Sequence, residues 1–221
     1  SHVGAELELA PAEDIIEWAV ATFGARFCIT SSMGDAVLSH LASKVAPGID
    51  VVFLDTGYHF VETIGTRDAV AATLPVNLLT ITPVQTVAEQ DAEYGPELFK
   101  RDPDLCCALR KVEPTERALR GLDAWIAGLR RDQSKTRADI DVVEYYERPE
   151  GPLFKVNPLF QWTRKDTWDY LLENEVPYNP LLDQDYKSIG CWPCTRPVGA
   201  DGDERAGRWG GSCWPTGEGR R

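Results

Sequence analysis

Four cysteines carry the most chemically specific pattern in the chain. Cys106 and Cys107 are adjacent, and Cys191 and Cys194 stand in the segment Gly190-Cys191-Trp192-Pro193-Cys194. Thiolates bind soft metals, and four of them complete a tetrahedral shell or hold the corners of an iron–sulfur cube. The C-x-x-C half is an ordinary metal loop. Adjacent side chains diverge, so the C-C half reaches a single small ion only with strain, whereas a cube offers separate iron corners. The pattern favours a [4Fe–4S] cluster over zinc. Buried free thiols and disulfides are the alternatives.

A second group of residues suits anion binding. Ser31-Ser32-Met33-Gly34-Asp35 follows a short apolar run and precedes a helical pattern. A small polar turn at a helix start offers backbone N–H groups and hydroxyls to an anion, although the same serines could simply cap the helix. Asp55-Thr56-Gly57 closes another apolar run, where open α/β sheets bind ligands. Arg130, Arg131 and Arg137 gather in one loop-like stretch, and Arg205 and Arg208 in another. Their forked guanidinium groups match phosphate and sulfate oxygens. Lys111 follows the cysteine pair and could balance an anionic thiolate cluster. Cys213, in a Gly-rich tail, is either an accessible thiol of the kind that reactivity requires or an incidental cysteine.

The elements that must position these residues alternate. Residues 11–21 carry Ile15, Ile16 and Ala19 at helical spacing. Residues 26–30 and 50–54 read as buried strands, with Cys28 a core residue of the first. Residues 36–41 and 58–74 read as helices, residues 76–81 as a strand, and residues 86–93 as a helix. Pro96 and Pro103 break the region before the cysteine pair, which opens a helical segment with Leu109, Val112 and Leu119. Residues 124–129 and 153–159 are further strands. Thr163-Arg164-Lys165-Asp166 resembles a capping box that opens a helix ending before Pro177. Strand–helix–strand alternation predicts an α/β fold with a parallel sheet. His2, His40 and His59 show no ligand spacing.

Composition bounds the reading. With 221 residues, 43% of them hydrophobic and 26% charged, the chain suits one domain or one domain with an appendage. A net charge of −12 argues against a polynucleotide partner but leaves room for a small anion at a local arginine cluster. The chain has neither an apolar run of membrane-spanning length nor a signal-like N-terminus. The expectation is a cytoplasmic protein with reduced cysteines.

Taken together, the residues resemble the assimilatory adenylyl-sulfate (APS) reductases of the sulfonucleotide reductase family, which includes the PAPS reductases. The resemblance runs from about Phe27 to Trp209. It rests on Leu54-Asp55-Thr56-Gly57, Cys106-Cys107 with Arg110-Lys111, Gly128-Leu129-Arg130-Arg131, the Cys191–Cys194 segment and Arg205-Ala206-Gly207-Arg208-Trp209.

The resemblance implies a Rossmann-like parallel sheet of the adenine nucleotide α-hydrolase type, spanning residues 1–195, with a mobile substrate-contacting tail over 196–221. It implies that Ser31 and Ser32 belong to a modified pyrophosphate-type loop. Leu54, Asp55, Thr56, Gly57, Arg130, Arg131, Arg137, Arg205 and Arg208 would surround APS. Cys106, Cys107, Cys191 and Cys194 would hold a [4Fe–4S] cluster, with Lys111 linking cluster and substrate. The four cysteines argue for APS over PAPS, since most PAPS reductases of the family lack the cluster. The implied reaction is reduction of APS to sulfite and AMP by thioredoxin, through a cysteine S-sulfonate, in sulfate assimilation and cysteine biosynthesis. One departure stands out. The family nucleophile sits in a Glu-Cys-Gly-Leu-His motif, but this chain ends Ser212-Cys213-Trp214-Pro215-Thr216-Gly217-Glu218-Gly219-Arg220-Arg221. Cys213 is the thiol available there, four positions early. The alternative is a cluster-bearing relative with altered sulfonucleotide or sulfur-transfer chemistry.

Overall fold

The computed structural model describes residues 2–199 and 203–208. Six strands form one sheet in the order β3-β2-β1-β4-β6-β5. They are β1 (Phe27–Ser31), β2 (Ile49–Leu54), β3 (Val76–Ile81), β4 (Ala124–Ala127), β5 (Val143–Tyr146) and β6 (Leu153–Val156). The first four and β6 run parallel, with Ile29 opposite both Val51 and Ile126. The parallel expectation fails only at the edge, where β5 is antiparallel to β6 and pairs Glu144 with Lys155.

After a short α1 (His2–Leu7), apolar side chains of α2 (Ala12–Phe23) and α3 (Val37–Val45) build the main core against the sheet. Ile15, Ile16 and Ala19 of α2 and Leu41 of α3 are fully buried with Ile29, Val51, Phe53, Ile126 and Val156. Continuous apolar burial of this kind is what a parallel strand covered on both faces requires. Cys28 belongs to a smaller cluster with Val52, Leu119 and Leu153. Burial pushes its thiol up to about 12, so it is an inert core residue.

The helix expected from Tyr58 starts at Val61 and runs to Thr73 as α4. Residues 58–60 lie outside the helix, where Tyr58 packs on Phe99 and the His59 ring is bonded to the Leu54 carbonyl at 2.7 Å. A capping box on Thr86 and Glu89 starts α5 (Val87–Tyr94). After α6 (Leu98–Arg101), Pro103 begins α7 (Pro103–Cys107) rather than breaking a helix, because the first helical position needs no N–H. The cysteine pair therefore lies at the end of α7, and the helical segment expected after it follows without a break. The chain then loosens into a π-turn over Ala108–Val112 before α8 (Glu113–Leu119). The capping box at Thr163 is present, with Asp166 as its partner, and starts α9 (Arg164–Glu173).

Chain connectivity reverses between β1 and β4. The chain leaves β1 toward β2 on one side, and β4 later pairs on the other side. A crevice at the C-terminal ends of such strands is where an open α/β sheet takes its ligand. Among the described residues, no helix is long and apolar enough to cross a membrane.

Candidate active site

The reversal point opens a cavity of about 420 Å³, within the range of small-molecule sites. Ser31 and Ser32 line it from the end of β1, and Leu54 and Thr56 from the end of β2. Gly128, Leu129 and Arg130 enter from the end of β4, followed by Gln133 and Arg137. Lys111 reaches in from the π-turn, and Arg205 and Arg208 from the C-terminal arm.

The serine turn is bent by Met33, which is fully buried with φ +57°. The Met33 N–H donates to Ser31 Oγ at 3.2 Å, and the Val37 N–H donates to Asp35 Oδ1 at 3.0 Å. Ala36, not a serine, is the N-cap of α3 and makes no side-chain cap bond, while Asp35 before it holds the Val37 N–H. Burial raises the Asp35 carboxyl above its ordinary value, although the Val37 N–H and the Arg130 charge oppose the rise.

Three of the expected substrate residues do not line the cavity. Asp55 turns to accept the Gly57 N–H at 3.0 Å and faces Arg67 at 3.8 Å. Gly57, at φ +76°, lies so close beneath Arg110 and Val87 that a Cβ would stand 3.0 Å from each. Arg131 points to the opposite side, bonded to Glu8 at 2.9 Å and stacked over Phe160 at 4.6 Å. Conversely, His59, Lys187, Ser188 and Glu204 line the cavity without having been singled out as ligands.

The arginines crowd one another. The Arg137 guanidinium is pushed down to about 10, by burial first and then by Arg205 and Arg208. Arg208 is likewise pushed down to about 10, chiefly by burial and next by Arg205. Like charges held this close in a low-dielectric site favour an anionic ligand. Arg208 passes against Gly190, where any Cβ would overlap its guanidinium, and bonds Ser188 Oγ and the Ile189 carbonyl, each at 3.2 Å.

The two cysteine stretches meet beside this cavity. Cys106, Cys191 and Cys194 are buried in one cluster with Tyr58, Leu98 and Phe99, and Cys107 is half-buried beside Cys106. Trp192 packs edge-on to Tyr58 and Phe99. Thr56 Oγ1 lies 3.2 Å from Cys191 Sγ. Burial, then the neighbouring Cys107 and Cys191, push the Cys106 thiol up to about 11, and the Arg110 and Lys111 charges oppose the rise. Lys111 thus acts on the cysteines while lining the cavity. Arg110 is buried and donates from Nε to the Thr56 carbonyl and from Nη1 to Gln90 Oε1 at 3.0 Å.

Cys28, Cys106, Cys107 and Cys191 are free thiols. Cys194 is disulfide-bonded, a departure from the expectation that the cysteines are all reduced. Among the described residues, no group of three or more His, Cys, Asp or Glu side chains is arranged to hold a metal ion. Cys213 lies outside the described residues.

Residues 26–197 match the phosphoadenosine phosphosulfate reductase domain. The chain is 60% identical over 210 residues to the adenosine 5'-phosphosulfate reductase of Streptomyces coelicolor, covering 95% of this chain and 88% of that protein. It is 48% identical to the protein of the same name from Mycolicibacterium smegmatis, over 94% of this chain and 87% of that one. In structure it resembles the phosphoadenylyl-sulfate (PAPS) reductase of Candida auris, with a TM-score of 0.76 and 33% identity, covering 88% of this chain and 95% of that one. The Candida glabrata FMN adenylyltransferase, at 13% identity and a TM-score of 0.58 over 87% of this chain and 70% of that one, shares the fold alone. The sheet, the reversal-point cavity and these likenesses agree: the fold is of the adenine nucleotide α-hydrolase type, and the chain belongs to the phosphoadenosine phosphosulfate reductase family.

Proposed function

We propose that the chain reduces adenylyl sulfate to sulfite and AMP in sulfate assimilation, with thioredoxin as reductant. The observation that carries this reading is the cation-lined cavity at the β1–β4 reversal, with Cys191 in its wall, in a chain so similar to proteins named adenosine 5'-phosphosulfate reductase. In this reading Ser31, Ser32, Leu54 and Thr56 receive the nucleotide, and Arg137, Arg205, Arg208 and Lys111 receive the phosphosulfate. Asp55, Gly57 and Arg131 support the surrounding turns.

A thiolate, which we assign to Cys213 in the tail over 196–221, attacks the sulfate sulfur. The S–O bond to the phosphate breaks and AMP leaves with that electron pair. The guanidinium groups stabilise the charge that develops on the departing phosphate. A thioredoxin thiolate then attacks the cysteine sulfur of the S-sulfonate and releases sulfite. The second thioredoxin thiol resolves the mixed disulfide and restores the enzyme thiolate. Two electrons thus pass from the dithiol to the sulfonyl group.

We further propose that Cys106, Cys107, Cys191 and Cys194 hold a [4Fe–4S] cluster. The donor set supports it: both cysteine stretches share one apolar cluster, and Thr56, Arg110 and Lys111 stand ready to bond or offset thiolate charge. The form that holds the cluster needs the Cys194 sulfur reduced. When bound, the cluster would supply an electrostatic anchor beside the sulfonate end rather than a path for electrons.

The test assays APS and PAPS side by side with thioredoxin and measures sulfite and AMP. APS should turn over and PAPS should not. No sulfite from either would end the reading. Labelled APS without thioredoxin should leave label on Cys213, and no adduct on any cysteine would remove that assignment. Iron and acid-labile sulfide in anaerobically purified protein should both approach four per chain, and an empty analysis would remove the cluster.

A further inference from the structure

We propose that Glu204 is a positioning residue that clamps the arginine arm, residues 203–208, over the cavity by pairing with Arg130. The inference rests on the cavity being the nucleotide site. Arg205 and Arg208 come from this short arm: one bridge joins Thr195 to Arg208, the Arg196 N–H donates to the Gly207 carbonyl at 2.8 Å, and Arg208 bonds Ser188 and Ile189.

Glu204 Oε2 accepts from Arg130 Nη2 at 2.6 Å and stands 4.0 Å from Arg164 Nη1. Asp132 completes the arrangement. Its Oδ1 accepts from Arg130 Nε at 2.9 Å, and its Oδ2 accepts the Arg164 N–H at 2.6 Å at the start of α9. Two carboxylates and two guanidinium groups thus join three chain segments at the end of β4. The Arg130 and Glu204 side chains are only 6% and 13% exposed, so water screens the pair poorly.

The clamp has something to oppose. Arg137, Arg205 and Arg208 line one cavity, and the guanidinium values of Arg137 and Arg208 are depressed by burial first and then by the charges of their arginine neighbours. With no anion bound, this repulsion drives the arm outward. Arg130 turns its guanidinium to the two carboxylates, while Arg137, Arg205 and Arg208 also line the cavity.

An arm that is closed for a fraction f of the time raises the apparent dissociation constant by 1/f and leaves the chemistry of the bound complex intact. Glu204→Gln in the full chain should therefore weaken AMP binding and raise the KM for APS by about 10-fold, ~1.4 kcal/mol. Its kcat should fall less than about 2-fold. Glu204→Asp should recover part of the loss. Glu204→Gln combined with Arg130→Met should be no worse than Arg130→Met alone, because that variant already removes the Glu204 pair along with the Asp132 bond. Amide exchange at residues 205–208 should quicken in Glu204→Gln without any ligand.

Unchanged AMP affinity and unchanged exchange in Glu204→Gln would overturn the proposal. So would fully additive losses in the double variant, or a kcat loss as large as the KM change. If the wild-type chain binds no AMP, the nucleotide-site reading fails on its own, and the exchange measurement still decides whether Glu204 holds the arm.

Discussion

Arg110 and Thr56 are tied directly: the buried guanidinium donates from Nε to the Thr56 carbonyl, while the Thr56 hydroxyl lies 3.2 Å from Cys191 Sγ. One side chain thereby fixes the turn that lines the cavity and abuts the cysteine cluster. Arg110 is 3% exposed, and its Nη1 also donates to Gln90 Oε1. Arg110→Met would keep much of the packing but leave the Thr56 carbonyl and the Gln90 amide oxygen without this donor. Each buried acceptor left unsatisfied costs about 1–3 kcal/mol, so the variant should lose about 2–6 kcal/mol in urea unfolding. Arg110→Lys should recover less than half, since an ammonium cannot span the same fork. A stability loss below about 0.5 kcal/mol in Arg110→Met, within the range of ordinary surface changes, would refute the tie.

Gly207 and Gly65 make opposite predictions. A Cβ at Gly207 would overlap the Arg196 carbonyl and crowd the Val198 methyl, whereas a Cβ at Gly65, inside α4, meets nothing within 4 Å. Gly207→Ala must push the arm from the body, at about 1–3 kcal/mol, and should quicken amide exchange at residues 205–208. Gly65→Ala should stabilise the chain by about 0.5–1 kcal/mol through the entropy of the unfolded helix segment. Thermal midpoints of the two variants should move in opposite directions.

The cysteine stretches, the serine turn and the β1–α3–β2–α4–β3 run were readable because each rests on local pattern: spacing, a turn after an apolar run, or alternating period. What escaped lies in partnership across the chain. Nothing in Val143–Tyr146 marks an edge strand until Lys155 and Asn157 are seen to hold Glu144. Pro103 reads as a breaker in isolation, yet a proline is at home in the first turn of a helix, and the cysteines follow on that helix. The π-turn over 108–112 shifts the register by a residue that periodicity does not resolve. Arg130 and Arg131 are neighbours of the same type, but the strand end sends one to Glu204 and the other to Glu8. The sign and spacing of charges did not separate those fates.

The edge strand yields a pH prediction. Burial raises the Glu144 carboxyl, but the bonds from Lys155 and Asn157 and the charge of Lys155 outweigh it, and the net shift is below the ordinary 4.5. A carboxyl depressed in the folded state contributes stability that is present above its unfolded value and lost as pH falls through its folded value. Glu144→Gln should cost about 1 kcal/mol at pH 6. The gap to wild type should close as pH falls below 4.5. Urea unfolding at a series of pH values checks this, and a gap that widens toward acid would contradict the sign.

Arg137 separates ligand binding from folding. Its guanidinium is pushed down to about 10 by burial and by the Arg205 and Arg208 charges, and it donates to Gln133 Oε1. In the empty cavity the charge is a cost, because burial and two like neighbours both oppose it. Arg137→Gln removes that cost along with one hydrogen bond, so the unliganded midpoint should hold or rise. A bound phosphate reverses the balance, since a hydrogen bond to a charged group contributes about 1.5–3 kcal/mol. AMP affinity should therefore fall by about 10- to 100-fold, and the midpoint shift that saturating AMP gives the wild type should shrink. Raising the salt concentration should narrow the affinity gap, because screening weakens the attraction that the variant lacks. A variant that loses stability without ligand and keeps its AMP affinity would mean that Arg137 serves the fold rather than the anion.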